Sequence, residues 1–286
     1  MSLVSHPSIE IVRPDFPRGG FRAALFDFDG TLSLLRGNWQ PMMVDMMVDL
    51  LRAQPGAKGE SVDEIRRLVV RFVQQLTGEP TIFQMRRLCE EIAKRGGTPL
   101  PAEEYQQQFL DQLDAAIATR LSALEAGHKT RDDLLVPGAA TLLEQLAERS
   151  VALWLASGTA HDHVVRELEV LQLNHWFGPC VFGSVPPPGV FSKAAVVEQM
   201  LADHGIGGHQ IIGIGDGFVE ISAVARKGGL AIGVASNEET REGIDPEKRR
   251  SLIEAGAHII IGDYDRATSS CASSSCNTPC PAEPQP

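Results

Sequence analysis

The sequence predicts an α/β fold, a parallel sheet with helices on its faces, interrupted after its first strand by an all-helical block. Two observations carry this. From residue 137 onward, short apolar runs alternate with segments of helical periodicity, the rhythm of βαβ units. Between residues 33 and 136, apolar residues recur at helical spacing and no run reads as a strand. The expected division is a core built from 1–32 and 137–265, a helical insertion over 33–136, and a tail over 266–286.

The first strand is the apolar run 23–28, which ends in Asp27, Asp29 and Gly30 and so stops in a turn. Four amphipathic segments follow. They are marked by Val44, Met47, Val48 and Leu51; by Ile65, Leu68, Val69, Phe72 and Leu76; by Ile82, Met85, Leu88, Cys89 and Ile92; and by Phe109, Leu113, Ile117 and Leu121. Gly and Pro punctuate the block at Pro55-Gly56, 78–80 and 96–101. The methionines Met42, Met43, Met46 and Met47 are expected to fill its interior, since an unbranched thioether suits irregular gaps.

Past Pro137-Gly138 a helix over 139–149 precedes a strand over 151–156 that runs into Ser157-Gly158-Thr159. A helix over 161–171, a short strand near 180–182 and a Pro-rich loop at 186–188 come next. The helix 193–204 leads to the strand 211–214, which stops at Asp216. Strands over 231–234 and 258–261 flank a helix around 246–255. The Ser-, Pro- and Cys-rich tail has too few apolar groups to offset its ordering entropy and is expected to be disordered. Its Cys271, Cys276 and Cys280 fit no known zinc spacing.

Composition narrows the function. The 286 residues are 43% hydrophobic and 22% charged, enough to bury a sizeable core. The net charge of -11 argues against a nucleic-acid backbone or an anionic membrane as partner. No apolar run approaches the ~20 residues of a spanning helix, and the first residues lack the basic-then-apolar pattern of a secretory signal, so a cytoplasmic location is expected. Five cysteines, an odd count, suggest no disulfide framework.

Ligands of open parallel sheets bind beyond the carboxyl ends of the strands. The chemistry-bearing residues fall at such ends or at a helix start: Asp27 and Asp29, Ser157 and Thr159, Lys193, and Asp216 with Glu220. Any one of these acids alone reads better as a cap or turn residue. Four carboxylates at neighbouring strand ends would repel one another unless a cation or shared proton intervenes. A hard, oxygen-loving ion such as Mg²⁺ suits them, and the absence of His and Cys from the set disfavours zinc. Gly213-x-Gly215-x-Gly217 lacks the spacing of a dinucleotide fingerprint, and Asp216 inside it would repel a pyrophosphate.

Phe26-Asp27-Phe28-Asp29-Gly30-Thr31 resembles the DxDGT signature of the haloacid dehalogenase (HAD) superfamily. Ser157-Gly158-Thr159, Lys193 and Gly215-Asp216-Gly217 with Glu220 are similar to its second, third and fourth motifs, in order, across residues 22–264. Two departures are Glu220, where many members carry Asp, and Phe191-Ser192-Lys193, which lacks the Lys-Pro pair of many relatives.

The resemblance implies a Rossmann-like core with a helical C1 cap and a phosphoglycolate phosphatase-like hydrolase of a small phosphorylated metabolite. It implies Asp27 as nucleophile and Asp29 as acid and base, with Ser157, Gly158 and Lys193 holding the phosphoryl group. Mg²⁺ would be held by Asp27, the Asp29 backbone, Asp216 and, through water, Glu220. A second Asp after the nucleophile favours phosphoryl over carbon–halogen chemistry, and Lys58, in a Pro/Gly loop, is poorly placed for the Schiff base of phosphonate-cleaving relatives.

Arg36 is a candidate substrate contact, with Trp39 and the pair Arg86-Arg87, although the pair reads better as a solvated helix face. His161 and His163 read as surface or capping residues. Two rival functions remain open at this stage: a phosphomutase of the β-phosphoglucomutase type, and a non-catalytic binding protein on the same fold. Oligomeric state is not encoded in any motif.

Overall fold

The computed structural model describes residues 9–265 apart from 78, 188 and 189. The tail and its three cysteines therefore lie outside the described residues. Among those described, one sheet is formed by β1 (Ile9–Ile11), β2 (Ala23–Phe26), β3 (Ala152–Ala160), β4 (Val181–Ser184), β5 (Ile211–Gly215), β6 (Leu230–Val234) and β7 (Ile259–Ile261). Its spatial order is β1-β7-β6-β5-β2-β3-β4, and every pairing is parallel except β1 with β7.

β2 is central, and its side chains alternate between two buried faces. Ala24 and Phe26 pack with Leu155, Ile214, and the inward residues of α5 (Ala139–Glu148) and α6 (His161–Val170). Ala23 and Leu25 pack on the other side with Val196, Val197 and Met200 of α8 (Lys193–His204) and Val224 of α9 (Phe218–Arg226). A third cluster joins α9 to α10 (Pro246–Ala255) through Ile221, Leu252 and Ile260.

Four helices leave the sheet after β2 and return before β3: α1 (Trp39–Arg52), α2 (Val62–Gln75), α3 (Ile82–Lys94) and α4 (Ala102–Glu125). Met43, Met47, Val69, Leu88 and Phe109 are buried between them in a cluster continuous with Phe26 and Phe28 at the sheet end. Helix α2 begins on a capping box, with Ser61 accepting from the Glu64 N–H and the Glu64 carboxylate reaching back. Arg120 of α4 donates to the carbonyls of Leu35 (2.9 Å) and Gly37 (2.8 Å), fastening the insertion to the segment that follows β2. No helix among the described residues is long and apolar enough to cross a membrane.

Three elements were not anticipated. The strand β1 and the helix α7 (Asn174–Phe177) are too short to show a period. Helix α9 has no Ser, Thr, Asp or Asn at its start: Gly217 occupies the cap position, and the capping acceptor comes from inside the helix, where Glu220 takes the Gly217 N–H. The usual start signal is thus inverted. Strand β3 also runs on through Ser157 to Ala160, with a register irregularity against β4 between Ala156 and Ala160.

Candidate active site

The register of the central strands sets the site. Phe26 lies level with both Leu155 and Ile214, and the Asp27 N–H donates to the Ile214 carbonyl at 2.9 Å. Asp27 and Asp216 therefore leave the ends of β2 and β5 side by side, next to Ser157 on the continuing strand β3. The turn after Asp27 closes on itself, with the N–H groups of Leu32 and Ser33 both reaching the Phe28 carbonyl at 2.9 Å. Gly30 has φ +75°, and a Cβ there would collide with the Asp216 carboxylate, so the turn needs glycine on two counts.

Lys193 opens α8 and is 1% exposed. Its ammonium lies 2.6 Å from Asp27 Oδ1 and 2.9 Å from Glu220 Oε2. Burial alone would strip its proton, but the two carboxylates outweigh burial and hold it charged. Glu220 Oε1 accepts the Gly217 N–H at 2.5 Å, so this side chain both orients Lys193 and caps α9.

Asp29 is half-buried, and its Oδ2 accepts from Thr159 Oγ1 at 2.8 Å and Ser157 Oγ at 3.4 Å. Its Oδ1 is buried without a hydrogen bond, 3.8 Å from Arg36 Nε. Burial pushes the Asp29 carboxyl up to about 6, against the pull of Arg36. Such a group can give and take a proton near neutral pH.

Sequence reasoning missed two residues. Lys248 of α10 sits 2.9 Å from Asp216 Oδ2 and 2.6 Å from Glu238 Oε1. In the sequence both lie in charged stretches, Glu238-Glu239 and Lys248-Arg249-Arg250, which read as solvated surface; nothing in their spacing points inward. Asp27, Asp216, Glu220 and Glu238 against Lys193 and Lys248 leave two negative charges when all are ionised. Burial and the neighbouring acids push the Asp27 and Asp216 carboxyls up, the mark of charge not fully compensated.

Oxygens of Asp27, Asp216 and Glu220 lie within 4.8 Å of one another. An all-oxygen donor set with two uncompensated charges fits a hard divalent cation, Mg²⁺ before zinc.

The remaining candidates are placed unevenly. Arg36 lines the cavity above Asp29, but its guanidinium is held by Glu167 (Nη2 at 2.6 Å, Nε at 3.0 Å) and meets His163 Nδ1 at 3.1 Å. Gly158, Thr159 and Trp39 line the same cavity, whose volume is about 80 Å³. Arg86 stacks over Phe83 and Arg87 pairs with Glu90 and Glu91, so neither faces the site. Lys58 is exposed and does not line it either.

Three comparisons with known proteins bear on this arrangement. The solved structures similar to the chain include a predicted phosphoglycolate phosphatase from Haemophilus somnus, at TM-score 0.56 and 18% identity, covering 88% of this chain and 99% of that one. A haloacid dehalogenase-like protein from Agrobacterium tumefaciens superposes at TM-score 0.56 and 16% identity, covering 88% and 98%. A β-phosphoglucomutase from Clostridium difficile does so at TM-score 0.51 and 16% identity, covering 82% and 98%. At such identities the likeness speaks for the fold. No curated protein matches the chain. The family model for haloacid dehalogenase-like hydrolases matches residues 21–228, which span the DxDGT turn, Lys193 and the acidic turn at Asp216. The chain belongs to the haloacid dehalogenase-like hydrolases.

Proposed function

We propose that the protein is a Mg²⁺-dependent phosphatase that hydrolyses a small phosphomonoester through a phosphoryl group carried on Asp27. The observation that carries this reading is the Lys193 ammonium 2.6 Å from Asp27 Oδ1, with a proton-exchanging Asp29 two residues away. A buried, ammonium-paired carboxylate beside an acid that titrates near neutrality is what phosphoryl transfer through a covalent intermediate requires.

In the first step a carboxylate oxygen of Asp27 forms a bond to phosphorus as the bond from phosphorus to the alcohol oxygen breaks. Asp29 gives its proton to that departing oxygen. In the second, Asp29 takes a proton from water as the water oxygen attacks the acyl phosphate and Asp27 leaves as carboxylate. Ser157 Oγ, the Gly158 backbone and Lys193 face the phosphoryl oxygens. Asp27, Asp216 and the Asp29 backbone carbonyl, with Glu220 through water, would hold Mg²⁺, which would supply charge neutralisation to the phosphoryl oxygens.

Residues 33–136 act as a cap in this reading, and residues 1–32 with 137–265 as the catalytic core. Trp39 of α1 and Phe109 and Leu113 of α4 close the cavity over Asp27 and keep bulk water from the acyl phosphate. A screen of phosphorylated metabolites for release of inorganic phosphate tests the reading directly. Phosphate release supports it, whereas isomer formation without phosphate would make the protein a mutase. Absence of any phosphoryl chemistry would leave a binding protein.

A further inference from the structure

The cavity above Asp27 is lined by two unlike sets of residues. Trp39, Phe109, Leu110 and Leu113 present carbon. Thr77, Glu79, Thr81 and Gln84 bring polar groups. Gln84, on α3, is 2% exposed, and its amide makes no hydrogen bond among the described residues. The half-buried Glu79 carboxylate likewise forms no hydrogen bond or ion pair among them.

Both groups open onto the space the organic part of a substrate would fill, with their hydrogen-bonding capacity unused by neighbouring side chains. Among the described residues one cation, Arg36, lines that space; Glu167 offsets its charge through Nε and Nη2, and Asp29 lies beside it. Lys193 and Lys248 are equally committed beneath.

From this we infer, resting on the phosphatase reading above, that the substrate's organic part is small, uncharged and hydroxylated: a short polyol or sugar phosphate. Its hydroxyls pair with Glu79 and Gln84, and its carbon face lies on Trp39 and Phe109. Glu79 has a second consequence. A substrate carboxylate in this space would meet Glu79, while the charge of Arg36 is already balanced by Glu167 and Asp29, so carboxylated esters such as phosphoglycolate are disfavoured. Specificity then comes from repulsion as much as from fit.

The test compares two esters that differ by one group: glycerol 3-phosphate, with a terminal hydroxymethyl, and 3-phosphoglycerate, with a carboxylate there. Phosphate release is followed with Mg²⁺ at pH 8, beside p-nitrophenyl phosphate. The expected result is a kcat/KM for glycerol 3-phosphate about tenfold or more above that for 3-phosphoglycerate, since like charges brought together cost several kcal/mol. In E79Q the ratio should fall toward one, mainly through a lower KM for 3-phosphoglycerate, with an unchanged thermal midpoint.

Equal or better turnover of 3-phosphoglycerate by the wild type overturns the inference, as does an E79Q ratio that stays put. Hydrolysis of p-nitrophenyl phosphate with neither natural ester accepted overturns it while leaving the phosphatase reading intact. No hydrolysis of any of the three overturns both.

Discussion

The Lys248 ammonium sits between the carboxylates of Asp216 and Glu238, at 2.9 and 2.6 Å, and joins α10 to the acidic turn after β5. Burial would neutralise this lysine, but the two acids outweigh burial and hold it charged. Asp216 is thereby fixed in place before any cation arrives. Removing the cation of this part-buried set leaves the two acids uncompensated, at a cost approaching the roughly 3–5 kcal/mol of a broken buried pair.

Lys248→Met should therefore lower the thermal midpoint of the metal-free protein by several degrees. Added Mg²⁺ should then raise the midpoint of the variant more than that of the wild type, because the ion meets carboxylates with no other counter-charge. Differential scanning fluorimetry with and without Mg²⁺ checks this, and equal gains in the two proteins would contradict it.

Asp29 gives the pH dependence. Its pKa is raised in the folded state, from 3.8 to about 6, by burial. Folding thus favours its protonated form: this group's contribution to stability is complete below pH 3.8 and is lost as pH rises through about 6. In the proposed mechanism the protonated form is also the one that serves the departing alcohol. The pre-steady-state burst of alcohol release should slow as pH rises through that range. Asp29→Asn should slow turnover by about 10²–10⁴-fold and flatten the burst profile.

Arg36 tests whether the cap-side wall is built by charge. It is bound by Glu167 through two nitrogens and lies beside Asp29. Arg36→Met leaves Glu167 buried and unpaired, so stability should fall by about 3 kcal/mol or more in urea titrations. Double replacement with Glu167→Gln should recover a large part of that loss. Additive losses in the double variant would show that the pair is not coupled.

Chelation follows from the excess charge at the strand ends. Activity should disappear in excess EDTA and return with Mg²⁺, while the fold, followed by circular dichroism, stays intact because Lys193 and Lys248 still bridge the acids. Full turnover in EDTA would remove the metal from the account.

Much of this was legible in the sequence, for identifiable reasons. The parallel core showed itself because strands buried on both faces are continuous apolar runs, such as 211–214, each ending in a polar turn. The helical insertion was legible because Met47, Val69, Leu88 and Phe109 sit at helical spacing and all became buried. Asp27, Asp29 and Asp216 were legible from their place at strand ends. Lys248 and Glu238 were not, because their inward orientation depends on how α10 packs against α9 and no local pattern records that. Helix α9 escaped because its cap position is Gly217 and its capping acceptor is Glu220 inside the helix, a residue whose sequence context suggests a ligand. Arg36 was legible as a candidate contact, but its engagement by Glu167, 131 positions away, was not.

In the proposed mechanism Asp27 accepts the phosphoryl group. Acid-quenching the enzyme during turnover of a phosphomonoester, followed by peptide mapping, measures this most directly. A phosphorylated peptide with the modification on Asp27 is expected, absent from Asp27→Asn along with all phosphate release. Sustained hydrolysis by Asp27→Asn, with no adduct at that position in the wild type, would contradict it.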